Sequence, residues 1–199
     1  MSNDGVNTTR RRFLTAATSV VGAVGAVGVA VPFVGSWNPS AKAKAAGAPV
    51  KFDVSKLEPG EMRVVEWRGK PVYVVRRTTE ILANLPSLDG SLRDPSSTQS
   101  DQPDYVDSNT RAIRDEFMVL VGLCTHLGCA PKFRPEVGSQ IPPDGSEWKG
   151  GFFCPCHGSM FDLAGRVYKS VPAPTNLVVP PYSFEDDNVL VIGVDQEAA

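Results

Sequence analysis

Residues 13–41 contain no charged side chain, and residues 13–35 form a run of 23 dominated by Ala, Val and Gly. A helix needs about 20 apolar residues to cross the hydrocarbon core of a bilayer. The pattern therefore predicts one membrane-spanning helix, placed over residues 13–37. Its glycines lower helix propensity in water, yet small residues are common in membrane helices, where they allow close packing. Pro32 falls near the far end, where a kink is tolerated. Residues 38–49 then turn small and polar, with too few bulky apolar groups to bury surface. They read as a flexible neck whose Ala- and Lys-rich middle can be helical.

From residue 50 the apolar period changes to two. Residues 50–54 alternate, and residues 63–67 and 71–76 flank Arg68, Gly69 and Lys70 as the arms of a tight hairpin. Residues 78–85 suit a short helix with a Thr cap. Residues 87–109, rich in Asp and Ser and carrying Pro95 and Pro103, predict a surface loop. Further strands are expected over residues 117–121, 151–153, 178–179 and 189–194. Short strands separated by turns predict a mainly β head, an antiparallel β-sandwich with a small subdomain over about residues 122–175. There is no internal repeat.

Charge adds a direction to this layout. The 199 residues have a formal net charge of −2 and are 42% hydrophobic, which fits neither a disordered chain nor a disulfide-dense scaffold. No basic excess marks a nucleic-acid binder. Five of the 20 basic residues but one of the 22 acidic ones precede Gly47, so the remainder carries −6, read as a solvated surface. Arg10-Arg11-Arg12-Phe13-Leu14 resembles the twin-arginine export signal, a receptor-read address for proteins carried already folded. The same arginines favour a cytoplasmic amino terminus. Residues 1–12 are then cytoplasmic, 13–37 the anchor, 38–49 the neck and 50–199 a periplasmic head on the bacterial inner membrane. Cleavage after the small-residue pattern Ala41-Lys42-Ala43 is the alternative; the 23-residue run exceeds the usual signal-peptide core of about 7–15 residues, which favours a retained anchor.

The scarcest residues carry the chemistry. All four cysteines and both histidines lie in two short segments, Cys124-Thr125-His126-Leu127-Gly128-Cys129 and Cys154-Pro155-Cys156-His157-Gly158-Ser159. Thiolate is a soft ligand suited to zinc, copper(I) and iron–sulfur clusters, and imidazole to zinc, iron and copper. Each segment offers one Cys and one His close together, Cys124 with His126 and Cys154 with His157, and each keeps one further thiol. A structural zinc site also uses two Cys and two His, but its usual order is a Cys pair followed by a His pair, and zinc leaves the extra thiols and the export signal unexplained.

The two segments resemble the cluster-binding boxes of Rieske iron–sulfur proteins, in the disulfide-containing branch found in bacterial cytochrome bc complexes. The likeness extends to the anchor, the Ala-rich neck, Leu92-Arg93-Asp94-Pro95 and Pro172-Ala173-Pro174. It implies one 2Fe-2S cluster with two histidines replacing two cysteines on one iron: Cys124 and Cys154 on the inner iron, His126 and His157 on the outer. It further implies a disulfide between Cys129 and Cys156, and a hydroxyl donor to cluster sulfur at Ser159. Pro172, Ala173 and Pro174 would form a shielding loop, and Leu127 an apolar contact at the quinol-site surface. Mitochondrial members carry a tyrosine donor where this chain has Phe161, so a lower reduction potential is expected here.

The function implied is that of an electron-transfer subunit of a quinol–cytochrome c reductase. His157 would contact ubiquinol, the partners would be cytochrome b and a membrane c-type cytochrome in a dimeric complex, and the neck would let the head swing between them. The Rieske subunit of a periplasmic arsenite oxidase is the alternative. A soluble Rieske ferredoxin would be expected to lack the extra cysteines and the export segment, and a zinc-binding interaction module would do no redox chemistry.

Overall fold

The computed structural model of the chain describes Gly5 and residues 7–195. It divides into two compact units, Met1–Ala45 and Ala46–Ala199. In the first, helix α1 spans Thr8–Gly35. Asn7 caps it, its side chain accepting from the Arg10 amide at 3.0 Å, which satisfies one of the donors a helix start leaves free. This cap draws Arg10, Arg11 and Arg12 into the first turns of the helix, so it begins five residues before the expected anchor. At about 1.5 Å per residue the 28 residues are long enough to cross a bilayer. A short helix, α2, follows over Ala41–Ala46, in the expected neck.

The second unit is mainly β. Its strands are β1 (Val50–Asp53), β2 (Met62–Trp67), β3 (Lys70–Arg76), β4 (Phe117–Val121), β5 (Lys132–Arg134), β6 (Gly151–Phe153), β7 (Met160–Phe161), β8 (Tyr182–Phe184) and β9 (Val189–Ile192), with helix α3 (Thr79–Asn84) after β3. They form three antiparallel three-stranded sheets ordered β1-β9-β8, β2-β3-β4 and β5-β6-β7 among the described residues. The β2–β3 hairpin closes where expected, with Trp67 opposite Lys70. Arg68 and Gly69 both take positive φ, 53° and 69°, the mirror-image turn that matches strand twist. Thr78 caps α3 through the Ile81 amide.

One hydrophobic cluster joins all three sheets, with Val72, Val74 and Met118 from the second, Leu190 and Ile192 from the first, and Phe152 and Phe161 from the third. In β4 all five residues are buried, so its continuous apolar run reflects cover on both faces rather than alternation. The third sheet lies within residues 122–175, and both cysteine-histidine segments adjoin it.

Residues 87–109 depart from the expected surface loop. Leu88, Leu92 and Val106 are buried in the core, and Asp94 is buried among the donors of its own segment. Its carboxylate accepts from the amides of Thr98 and Gln99 at 2.8 and 3.0 Å and from the Ser100 hydroxyl at 2.7 Å. A polar segment is thus folded inward on an internal acceptor. Residues 178–179 form no strand: the Val178 carbonyl accepts from Val121, while the Val179 amide donates to Asp101. Strands β5, β7 and β8, of three, two and three residues, are too short to carry a period.

Candidate metal centre

The two segments are built on one backbone pattern. In the first, the Cys124 amide donates to the Cys129 carbonyl and the Gly128 amide returns to the Cys124 carbonyl, both at 2.8 Å. In the second, Cys154 pairs in the same way with Ser159 at 2.8 Å, and the Gly158 amide with the Cys154 carbonyl at 2.9 Å. Gly128 and Gly158 hold positive φ of 78° and 76°, a conformation glycine adopts without steric cost. Each loop is a six-residue ring closed by its first and last residues. The side chains differ: histidine is third in the first loop and fourth in the second. The sixth position is Cys129 in one and Ser159 in the other.

This arrangement sorts the six scarce residues by depth. Cys124 and Cys154 are free thiols and buried, while Cys129 and Cys156 are joined in a disulfide across the loops. His126 is half-buried, His157 exposed, and their rings stand edge to face with centroids 4.8 Å apart. The sulfurs of Cys129, Cys154 and Cys156 lie within 4.8 Å of one another, but two of them are bonded together, so only Cys154 of the three can ligate. What remains is two buried thiols and two outward imidazoles. Burial pushes the Cys124 thiol up, and neighbouring Cys154 adds to this against hydrogen bonds from the His126 amide and the Ser159 hydroxyl. Two free, buried thiols in the same pair of loops as two imidazoles mark a place for a thiophilic cation. The donor set fits a 2Fe-2S cluster with two imidazole ligands; taken alone it would also suit zinc.

Surrounding residues fix this site. Tyr73 in β3 lies beneath both loops: its hydroxyl donates to the Pro131 carbonyl at 2.9 Å, and its ring stacks on Phe152 of β6 at 5.7 Å. A Cβ at Gly122, just before the first loop, would collide with the Tyr73 ring. Ser159 is fully buried, and its Oγ accepts from the Ala173 amide at 3.0 Å. Ala173 is buried between exposed Pro172 and Pro174. Thr125 donates to the Thr175 carbonyl at 2.7 Å. Leu127 projects from the first loop with 70% exposure. Phe161 is fully buried in β7, with no hydroxyl to offer. The sequence-predicted residues therefore gather in one place. Tyr73, Thr125 and the two loop glycines are additions; the glycine fifth in both boxes was the one signal available.

Comparison with known proteins bears on which group the donors hold. The family model Rieske [2Fe-2S] domain matches residues 49–183, and Ubiquitinol-cytochrome C reductase Fe-S subunit TAT signal matches residues 1–40. The chain is 60% identical to the ubiquinol-cytochrome c reductase iron-sulfur subunit of Allochromatium vinosum over 100% of its length and 95% of the relative. Its identity to the like-named subunit of Blastochloris viridis is 44%, over 96% of this chain and 97% of the relative. For that of Rhodospirillum rubrum it is 42%, covering 96% of each.

Proposed function

The chain belongs to the Rieske iron–sulfur family, among the iron–sulfur subunits of ubiquinol–cytochrome c reductases, and on that footing we propose that it oxidises ubiquinol and passes the electron to a c-type cytochrome, with Cys124, His126, Cys154 and His157 holding one 2Fe-2S cluster. The observation that carries this reading is the gradient of depth: buried thiols within, imidazoles outward, and exposed His157 at the surface. Held by two thiolates and two neutral imidazoles, the cluster supplies a one-electron acceptor of high potential, within about −150 to +300 mV.

The chain's own residues do the rest. The exposed His157 ring offers a nitrogen to a quinol hydroxyl, accepting its hydrogen bond and then its proton, while buried Cys124 and Cys154 keep water from the inner side. Leu127 presents an apolar tip suited to a pocket in a membrane partner. The Cys129–Cys156 disulfide ties the loops bearing Leu127 and His157 together, which limits independent motion of the two. Helix α1 anchors the chain, and its amino-terminal arginines favour a cytoplasmic start and a periplasmic head. Residues 38–49 serve as the tether on which the head moves. The partners are cytochrome b and a membrane c-type cytochrome in a dimeric complex, supported by the names of the relatives. Those names also disfavour the arsenite oxidase alternative.

The test is purification of the native protein from membranes. Co-purification with b- and c-type haem and quinol-dependent reduction of a c-type cytochrome, lost in His157→Ala, are expected. Co-purification with a molybdenum subunit and no haem b would overturn the reading.

A further inference from the structure

Pro172 and Pro174 have no amide hydrogen, so the loop they flank has one internal donor, Ala173 N–H, which is given to Ser159 Oγ. Its carbonyls must find donors elsewhere. Arg93 provides them at both ends: Nη2 donates to the Val171 carbonyl at 3.0 Å and Nη1 to that of Pro174 at 3.4 Å. Arg93 is itself held in place, its amide donating to the Val167 carbonyl at 2.9 Å beside the antiparallel bridge of Leu92 with Tyr168. Among the described residues its guanidinium meets no carboxylate within ion-pair distance, so the two carbonyls have its full donor capacity.

The contacts continue inward. The Ala173 amide donates to Ser159 Oγ at 3.0 Å, and Ser159 in turn closes the second loop, its carbonyl accepting from the Cys154 amide at 2.8 Å. An exposed guanidinium is thereby linked, through the 171–174 loop, to the segment that carries Cys154 and His157. Asn176, just beyond the loop, is independently pinned by the Asp94 carbonyl, Ser97 and Ser100, so the loop's carboxyl end has a further anchor while its amino end, at the Val171 carbonyl, is held by Arg93.

We infer that Arg93 is a positioning residue: by clasping both ends of the 171–174 loop it holds the Ala173 amide against Ser159, and so holds the Ser159 hydroxyl and the loop it closes in place beside the metal centre. The inference rests on the two loops holding the cluster. A hydroxyl donor beside the cluster stabilises the more negative, reduced state, so loosening the clasp lowers the reduction potential.

The experiment is potentiometry on the full-length holoprotein in four forms: wild type, Arg93→Ala, Ser159→Ala and the double variant. Arg93→Ala is expected to lower the potential and Ser159→Ala to lower it further, with the double variant matching Ser159→Ala alone, because both act through one hydroxyl. Arg93→Lys keeps the charge but replaces the two separate nitrogens of the fork with a single one, so its potential should fall between wild type and Arg93→Ala. Additive shifts in the double variant, or a wild-type potential in Arg93→Ala or Arg93→Lys, would overturn the inference. Should Arg93→Ala fail to retain a cluster, hydrogen exchange at the Ala173 amide decides. Exchange about tenfold faster there, with the rest of the head unchanged, supports the clasp; unchanged or uniformly faster exchange defeats it. A wild-type protein with no iron–sulfur signal would instead defeat the ligand assignment, and exchange at Ala173 would still test the clasp.

Discussion

Phe161 and Gly122 carry the most specific consequences at the scale of single residues. Phe161 is fully buried two positions beyond Ser159, at the place where the family resemblance implies a tyrosine hydroxyl in mitochondrial members. Phe161→Tyr is expected to raise the reduction potential; an unchanged value in potentiometry would mean that Phe161 serves only to pack the core. Gly122 faces the Tyr73 ring so closely that a Cβ has no room. Gly122→Ala should cost about 1–3 kcal/mol by overpacking, read as a lower unfolding midpoint with reduced cluster content. The four cysteines and two histidines were legible because they are scarce and clustered. The roles of Tyr73, Thr125 and Arg93 were not, since Tyr73 and Thr125 each donate one hydrogen bond, and Arg93 two, to main-chain carbonyls distant in sequence, and no local pattern marks such partners.

At the scale of elements, the two six-residue loops share a backbone but depend on one covalent link. Cys129 and Cys156 are 27 residues apart, so in the chain-entropy picture their bond limits the unfolded state by about 3.5 kcal/mol. Cys129→Ala with Cys156→Ala should therefore lower stability by that order and cause loss of the cluster, checked by iron content and thermal unfolding. The segment over residues 87–109 makes a pH-dependent contribution. Burial alone would raise the Asp94 carboxyl, but hydrogen bonds from Ser100, Gln99 and Thr98 outweigh it and hold the group below its ordinary value of 3.8. A depressed folded value means stability that is fully present above that ordinary value and lost as pH falls through the lower one. Asp94→Ala should cost about 2–3 kcal/mol at neutral pH, and the gap from wild type should narrow below pH 3.8. A gap independent of pH would show that Asp94 contributes only by packing. The hairpin and α3 could be read from sequence because Arg68-Gly69 and Thr78 are local signals. Residues 87–109 were misread because their polar side chains bond to Asp94 and Asn176 inside the fold rather than to water, a distinction composition does not carry. Strands β5 and β7 gain their identity only from pairing with β6.

At the scale of the whole molecule, a Rieske domain follows a helix long and apolar enough to anchor it in a membrane, and the proposed tether between them has its own consequence. Helix α2 spans Ala41–Ala46; Ala43→Pro with Ala45→Pro would break it and stiffen the neck. Turnover of the assembled complex should fall while the potential stays at its wild-type value, and full turnover would contradict a swinging head. The central claim, that two thiolates and two imidazoles share one cluster, is tested most directly by pulsed EPR of the ascorbate-reduced full-length protein. The account predicts a 2Fe-2S signal with couplings to two histidine nitrogens. A signal free of histidine nitrogen, or none at all from a protein carrying zinc, would contradict it.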